Sequence, residues 1–310
     1  MQKSLNSFWL SIRAICQSFY VFLDYSILLP LLAHLPINIG RKLASLRGAL
    51  YFRLKRDWRT FTFGDTTLSE RTSQAFRRIF PQHNEEQTML LTKQRFIAQS
   101  HEEYEAALII AKRYERHPVD LVNADWIHAG IEHGEKFVFA TVHFGSIVGL
   151  TNLSKFNQPL IHIASNITEN PQLHPSIRRF YAAKYKRGND FMNGGAIVDA
   201  ETQMKRVLKF FKDDGLVSAV ADIPALPEER LPNWQVFFGS ECAFSPIIER
   251  LAHAQGAKIV PYVCYLDSGR YKMVFGGRNT PYFAFFEEHI RLRPGLWWAA
   301  DLLPNYRVKD

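Results

Sequence analysis

The chain has 310 residues, of which 47% are hydrophobic and 14% aromatic, so it can bury a sizeable core and is not an intrinsically disordered protein. Its formal net charge is +8. The three cysteines, Cys16, Cys242 and Cys264, are scattered without CxxC spacing. This pattern argues against a disulfide framework and a thiolate zinc site, and it favours a reducing compartment.

An apolar segment occupies residues 18–40, where it is interrupted by Asp24, Pro30, His34 and Pro36. A membrane-spanning helix needs about 20 apolar residues without a carboxylate in the middle. We therefore predict a segment that dips into a membrane or lies along it, with a break at Pro30. No small-residue cleavage site follows the apolar run, which argues against a cleaved signal peptide.

A basic stretch follows, with seven Lys or Arg residues between Arg41 and Arg59 against the single acid Asp57. Four leucines recur there at helical spacing and share one face: Leu43, Leu46, Leu50 and Leu54. Such a helix suits an anionic membrane surface, and a solvated basic face over the protein's own core is the alternative. Basic residues after an apolar segment favour the cytoplasmic side of the membrane.

The remaining chain predicts an α/β protein. Residues 69–127 have a helical pattern, whereas later residues alternate between strand-like and helical runs. The predicted strands cover 137–142, 160–164, 216–221, 257–266 and 271–275, and the predicted helices between them include 200–215 and 245–256. This alternation predicts a mainly parallel central sheet flanked by helices, after an N-terminal helical membrane-association segment. Pro261 within one strand predicts an edge strand or a bulge.

Two titratable residues follow predicted strands. His143 ends one strand run and Asp222 ends another. Ligands of parallel sheets bind at the carboxyl ends of the strands, so these two side chains are expected to converge on one site. A histidine that only hydrogen-bonds a loop is the alternative. Gly145 permits a close backbone approach at this point.

The sequence lacks the motifs of several other kinds of catalytic, nucleotide-binding and metal site. The sequence has no GxSxG, Walker A or GxGxxG motif, and its histidines lack the spacing of a zinc pair, so we predict no metal and no bound cofactor. The run "RRFYAAKYKRG", from Arg178 to Gly188, interleaves bases with aromatics. This run suits single-stranded nucleic acid, the phosphates of a lipid, coenzyme A or carrier protein, or a solvated face. The apolar N-terminal segment favours the phosphates over nucleic acid.

Six segments occur in a fixed order: "GRKLASLRGALYFRL", "FRRIFP", "VFATVHFGS", "VFFGSECAFSPIIERLAHAQGAKIVPYV", "YKMVF" and "IRLRPGLWW". Together they resemble the bacterial lipid A late acyltransferases (lauroyl and myristoyl transferases), within the lysophospholipid acyltransferase superfamily. The resemblance extends from about Leu35 to Trp298. It implies acyl transfer from an acyl carrier protein or coenzyme A thioester to a hydroxyl of a lipid or saccharide at the inner membrane.

The hallmark of that family is a histidine followed, after four intervening residues, by Asp or Glu, commonly within "HFGNWE". The histidine takes the proton of the acceptor hydroxyl and the carboxylate orients the histidine, as in a Ser-His-Asp relay. The motif maps onto His143, Phe144 and Gly145, but Ser146, Ile147 and Val148 replace its last three residues. Because valine cannot accept a hydrogen bond, the acid of this family motif is missing.

Three outcomes remain open: another acid, a backbone carbonyl that holds the histidine, or a site without acyl transfer. The acid that aligns best with a family position is Asp222, ahead of Glu169 and Glu132. The resemblance also assigns a substrate pocket to Phe238 and Gly239, beside Phe144, Gly145 and Ser146. Arg178 and Arg179 are predicted to bind an anionic donor or lipid. Backbone amides near Gly145 or Gly239 are predicted to stabilise the oxyanion.

These observations predict membrane-association helices over residues 1–60 and an acyltransferase-like α/β domain over residues 61–310, at the cytoplasmic face of a bacterial inner membrane. The predicted reaction transfers a fatty acyl group from an acyl carrier protein or coenzyme A thioester to a hydroxyl of a glycolipid or saccharide-lipid precursor. His143 is the predicted general base and Asp222 its partner. The alternative is a catalytically silent homologue that binds acylated lipid or acyl carrier as an assembly or regulatory subunit.

Overall fold

The structure is a computed structural model that describes residues 15–63, 65–114, 118–165, 167–213 and 215–309. Its helices are α1 (Ile15–His34), α2 (Ile37–Leu54), α3 (Trp58–Phe63), α4 (Leu68–Ile79), α5 (Glu85–Ile110), α6 (Asp125–Glu132), α7 (Val148–Asn152), α8 (Pro175–Gly188), α9 (Ala200–Lys212), α10 (Ile247–Gln255) and α11 (Tyr282–Leu292).

The strands are β1 (Val119–Val122), β2 (Phe137–Thr141), β3 (Leu160–Ala164), β4 (Ala196–Asp199), β5 (Leu216–Val220), β6 (Asn233–Phe237), β7 (Ser240–Phe244), β8 (Lys258–Asp267) and β9 (Arg270–Phe275). Seven strands form the central sheet in the order β1-β9-β8-β2-β5-β3-β4, while β6 and β7 form a separate hairpin. Every pairing in the central sheet is parallel except that of β8 with β9. The predicted α/β class and mainly parallel sheet are therefore confirmed.

The central strands are buried on both faces, which explains their continuous apolar sequences. In β2, Phe137 and Phe139 pack into the core on one side of the sheet, and Val138 and Ala140 pack into the core on the other side. The first side is covered by α1, α5 and α8, and the second by α10, α11 and the β6–β7 hairpin. The sheet is thus enclosed between two packed layers. The carboxyl ends of β2 and β5 lie next to each other within it.

Several local predictions were wrong. The region 69–127 was predicted as helical but contains β1, and the short strand β4 was not predicted. Both strands have only four residues, too few to establish an alternating pattern. β8 is an interior strand although it contains Pro261. Its register with β2 ends at Pro261 and its register with β9 begins at Tyr262, so the proline lies where the strand changes partner.

Helix α1 runs through Pro30 without the predicted break. Residues Asp24–Leu28 form a π-helical turn just before this proline, and the Leu29 amide donates to the Asp24 carbonyl. The wider turn changes the hydrogen-bonding pattern directly ahead of a residue that has no N–H to donate. By length and composition, α1 is the one described helix that is long and apolar enough to cross a membrane.

A buried polar network joins α1 and α2 to α5. The Arg47 guanidinium donates to both Asp24 oxygens, at 2.7 and 2.5 Å, and to Glu103 Oε2 at 2.6 Å. Tyr25 donates to the other Glu103 oxygen at 2.5 Å, and Tyr51 donates to Asp24. Helices α1 and α2 are therefore tied to α5, because they complete the surroundings of the buried Glu103 carboxylate.

The leucine stripe of α2 faces outward. Leu43, Leu46, Leu50 and Leu54 are all exposed, Leu46 by 65%, whereas the buried side of α2 presents Ala44, Arg47, Gly48 and Tyr51. The reading in which this stripe covers the protein's own core is therefore wrong. Helix α1 likewise exposes Phe22, Ile27 and Leu31. We call these seven side chains of two consecutive helices the apolar outer face.

We predict that Arg47→Met destabilises the protein by about 3–5 kcal/mol, because it leaves Asp24 and Glu103 buried without their cation. The free energy of unfolding, from urea denaturation in a mild detergent, measures the effect. Arg53→Met is the matched control, since Arg53 is exposed on the same helix. Equal stability of the two variants would contradict a structural role for the network.

Candidate active site

The register of the sheet brings His143 and Asp222 together. Strands β2 and β5 are parallel neighbours, and Thr141 is the register partner of Val220. His143 and Asp222 each lie two residues beyond this pair, at the carboxyl edge of the sheet. The Ala221 amide donates to the Thr141 carbonyl at 2.6 Å, so the two chains stay side by side as they leave the strands.

The predicted contact between these residues is confirmed. His143 Nδ1 lies 2.8 Å from Asp222 Oδ1. The His143 backbone amide also donates to the same carboxylate, at 3.2 and 3.1 Å from its two oxygens. An ionised carboxylate accepts but does not donate, so it holds the proton on Nδ1 and leaves Nε2 as the basic nitrogen. Among the described residues, none hydrogen-bonds to Nε2.

Asp222 is fully buried and further held by aromatic residues near the end of the chain. The Trp297 indole donates to Oδ2 at 2.8 Å, and the Tyr306 hydroxyl donates to the Asp222 backbone carbonyl at 3.0 Å. Phe238 packs against Trp297 with ring centroids 5.7 Å apart. A buried carboxylate is tolerated when its oxygens accept hydrogen bonds from fixed donors, so this enclosure fixes the carboxylate that orients His143.

The loop after His143 is fixed by close backbone packing. Gly145 has a φ of +65°, and a Cβ there would lie 2.1 Å from the Cys264 carbonyl oxygen, so only glycine fits. The Gly145 amide donates to the Leu296 carbonyl, and the Ser146 amide donates to that of Cys264, both at 2.9 Å. These two amides are occupied, so neither of them is free to serve as a predicted oxyanion donor.

Ser146 connects this loop to a second buried carboxylate. Its hydroxyl donates to Glu105 at 2.5 Å and accepts from the Val148 amide at 3.1 Å. Tyr271 donates to the other Glu105 oxygen at 2.6 Å. Burial raises the pKa of the Glu105 carboxyl to about 7. The loop is thus held by Glu105, while Val148, where the resembling family has its acid, is fully buried among apolar residues.

A cavity of about 530 Å³ opens beside His143, whose side chain is 23% exposed. Its volume lies in the usual range for binding sites of small molecules. Aliphatic side chains form much of its wall, among them Ile109, Val142, Ile147, Leu150, Ile163 and Ile197. The combination of a basic imidazole nitrogen and an apolar cavity suits a ligand with a reacting polar group and a hydrocarbon portion.

The charged groups in the cavity wall are largely compensated. Lys184 contacts Glu102 at 2.5 Å, and Arg59 contacts the buried carboxylates of Asp57 and Asp301 at 3.1 and 3.0 Å. Burial, followed by the charge of Lys184, lowers the pKa of His162 to about 3, so this second cavity histidine is neutral. The interior therefore suits an uncharged part of a ligand better than a phosphate.

The other predicted site residues divide into two groups. Phe144 and Ser146 line the cavity, as His143 does. Arg178, Arg179, Phe238 and Gly239 are not among the described residues that line it. From the predicted basic run, Lys184 lines the cavity instead, because α8 turns Arg179 to the exterior. Gly239 lies in the β6–β7 turn.

Neither of the weaker acid candidates partners His143. Glu132 and Glu169 are both exposed, and Glu132 ends α6, the helix that leads into the opposite end of β2. From the sequence, Trp297 and Trp298 were expected to cover the sheet or to lie at the membrane interface, and neither they nor His162 were assigned to the site. The two tryptophans belong to the segment "IRLRPGLWW", but nothing in that segment indicates that one of them reaches a carboxylate 75 positions earlier.

The arrangement can perform general-base chemistry on a hydroxyl. A hydroxyl at His143 Nε2 can give up its proton while Asp222 stabilises the resulting imidazolium. Asp222 contacts Nδ1 of His143, which is the nitrogen that the orienting acid of a Ser-His-Asp relay contacts. Among the described residues there is no group of His, Cys, Asp and Glu side chains that could hold a metal ion.

We predict that Val148→Glu destabilises the protein by several kcal/mol and does not improve its function, because it buries a charge where Nδ1 of His143 already has a partner. Thermal and urea denaturation measure the loss. Val122→Glu is the control, since Val122 is exposed at the end of β1. A Val148→Glu protein as stable as the Val122→Glu protein would contradict the prediction.

Comparisons with known proteins leave the family open. No family model matches this chain, and no curated protein matches it significantly. The resemblance to lipid A acyltransferases rests on the six sequence segments, and it stays a prediction.

Proposed function

We propose that this protein transfers a fatty acyl group from a thioester donor, carried by acyl carrier protein or coenzyme A, to a hydroxyl of a lipid-linked saccharide. The observation that carries the proposal is the His143–Asp222 pair, with Nδ1 held at 2.8 Å and Nε2 without a protein partner among the described residues, beside an apolar cavity. The cavity accommodates the hydrocarbon chain, and His143 accepts the proton of the attacking hydroxyl.

The same contact favours an enzyme over a catalytically silent homologue. A silent homologue has no need to hold one tautomer of a histidine. Apolar atoms around Nδ1 of His143 would have favoured that alternative. Instead, a fully buried carboxylate accepts from both the ring and the backbone amide of His143. Maintaining a buried charge at this point is unfavourable unless it is hydrogen-bonded, so a functional requirement explains it better than packing does.

The proposed location is the cytoplasmic face of a bacterial inner membrane. The apolar outer face offers Phe22, Ile27 and Leu31 of α1 beside the leucines of α2. Exposed basic residues of the same region, Lys42 and Arg53, suit anionic lipid head groups. Because Asp24 is ion-paired to Arg47 against α5, α1 lies along the surface in this proposal and does not leave the domain to span the bilayer.

We predict that His143→Ala lowers the rate of acyl transfer by about 10²–10⁴-fold, since it removes the general base. Asp222→Asn should lower it by up to about 10⁴-fold, because an amide favours the wrong tautomer. The assay follows radiolabelled acyl groups from palmitoyl-coenzyme A or palmitoyl-acyl carrier protein into ester-linked bacterial lipids.

The matched control for this assay is His253→Ala, which removes an exposed histidine of α10 and should leave the rate unchanged. Thermal denaturation establishes that each variant is folded. A folded His143→Ala protein with the wild-type rate would overturn the proposed function.

For the membrane, we predict that Leu46→Glu combined with Leu50→Glu releases the full-length protein from anionic phospholipid vesicles, because two charges then meet the lipid surface. Vesicle sedimentation measures the bound fraction. Leu231→Glu combined with Leu292→Glu is the control, as both leucines are exposed outside the apolar outer face. Equal release of the two double variants would refute the proposed docking face.

A further inference from the structure

Acyl transfer requires a hydrogen-bond donor for the carbonyl oxygen, which becomes an oxyanion when the hydroxyl attacks. The three amides that directly follow His143 already donate to other groups. Phe144 donates to Val142, Gly145 to Leu296 and Ser146 to Cys264, all backbone carbonyls. The described residues that line the cavity do not include Gly239, the other predicted source of an amide. A side chain is therefore a better candidate than these loop amides.

Trp298 lies directly against His143 and lines the same cavity. The two ring centroids are 4.5 Å apart, with an edge-on interplanar angle of 68°. The Trp298 backbone amide donates to the His143 carbonyl at 3.0 Å, which fixes the two residues relative to each other. Its indole is half-buried, and among the described residues none accepts a hydrogen bond from the indole N–H.

The neighbouring tryptophan has a different role. Trp297 is fully buried, and its indole N–H donates to Asp222 Oδ2 at 2.8 Å. Two consecutive tryptophans thus lie beside the His143–Asp222 pair, Trp297 on the carboxylate and Trp298 on the imidazole. The Trp297 N–H is occupied by the carboxylate, whereas the Trp298 N–H has no acceptor among the described residues.

Building on the proposed function, we propose that the Trp298 indole N–H stabilises the oxyanion of the acyl-transfer intermediate. The oxygen of the attacking hydroxyl bonds to the thioester carbonyl carbon as the hydroxyl proton passes to His143 Nε2. The π electrons of the carbonyl move onto the carbonyl oxygen, and this oxyanion accepts a hydrogen bond from the Trp298 indole N–H. When the intermediate collapses, the C–S bond breaks, and the leaving thiolate takes the proton from Nε2. The products are an ester and a free thiol.

The test compares three full-length variants in the acyl-transfer assay. Trp298→Phe should lower kcat by about 10²–10³-fold with little change in KM, because the lost hydrogen bond forms mainly in the transition state. Replacement of Trp298 by 3-benzothienylalanine keeps the ring size but has no N–H, and it should lose a similar factor. Trp234→Phe, at a half-buried tryptophan of β6 that is not among the described residues lining the cavity, is the matched control and should keep the wild-type kcat.

Binding of a thioether analogue of the donor, which has no thioester carbonyl, should be unchanged in both Trp298 variants. A benzothienylalanine variant with the wild-type kcat would overturn the role of Trp298, and so would an effect on KM alone. Either result, obtained while His143→Ala abolishes transfer, leaves the proposed acyl transfer intact. Wild-type transfer by His143→Ala would instead refute the proposed function itself.

Discussion

The buried carboxylate of Asp222 is the interaction on which the candidate site depends. A charge without access to water must be satisfied by protein donors, and here these donors come from two distant parts of the chain. The loop after β2 supplies the backbone amide and ring of His143, and the last part of the chain supplies the Trp297 indole. The Tyr306 hydroxyl adds a hydrogen bond to the Asp222 backbone carbonyl. The two parallel strands and the C-terminal segment are therefore held in one geometry by a single side chain.

Two further buried networks position the layers around this centre. Arg47 joins α1 and α2 to α5 through Asp24 and Glu103, while Asp301 receives Arg59 and Arg95 from the neighbouring helices. Each network places opposite charges next to each other where the dielectric constant is low. Removing one member alone is therefore more destabilising than replacing the whole network by apolar side chains. The apolar outer face, in contrast, is free of such constraints.

Much of the sheet and the central pair were predictable from sequence, because β-branched and aromatic runs mark strands that are buried on both faces. The ends of two such runs placed His143 and Asp222 at one edge of the sheet. The parallel register of β2 with β5 then brings the two residues side by side. The role of Trp297 was not predictable, since a contact across 75 positions leaves no local pattern. For the same reason Asp24 interrupted the apolar segment without indicating its partners, and the four-residue strand β4 was too short to show a period.

The chain positions of the residues in the Asp24 network determine the order in which its contacts become available during synthesis. Arg47 follows Asp24 by 23 positions, so the ion pair becomes available as soon as the α1–α2 hairpin has been made. Glu103, by contrast, follows Arg47 by 56 positions. Since chains grow from the N-terminus, the nascent hairpin carries its apolar outer face and a self-neutralised carboxylate before the sheet exists. In the proposed membrane location, this hairpin would meet the lipid surface before the strands of the sheet have been made.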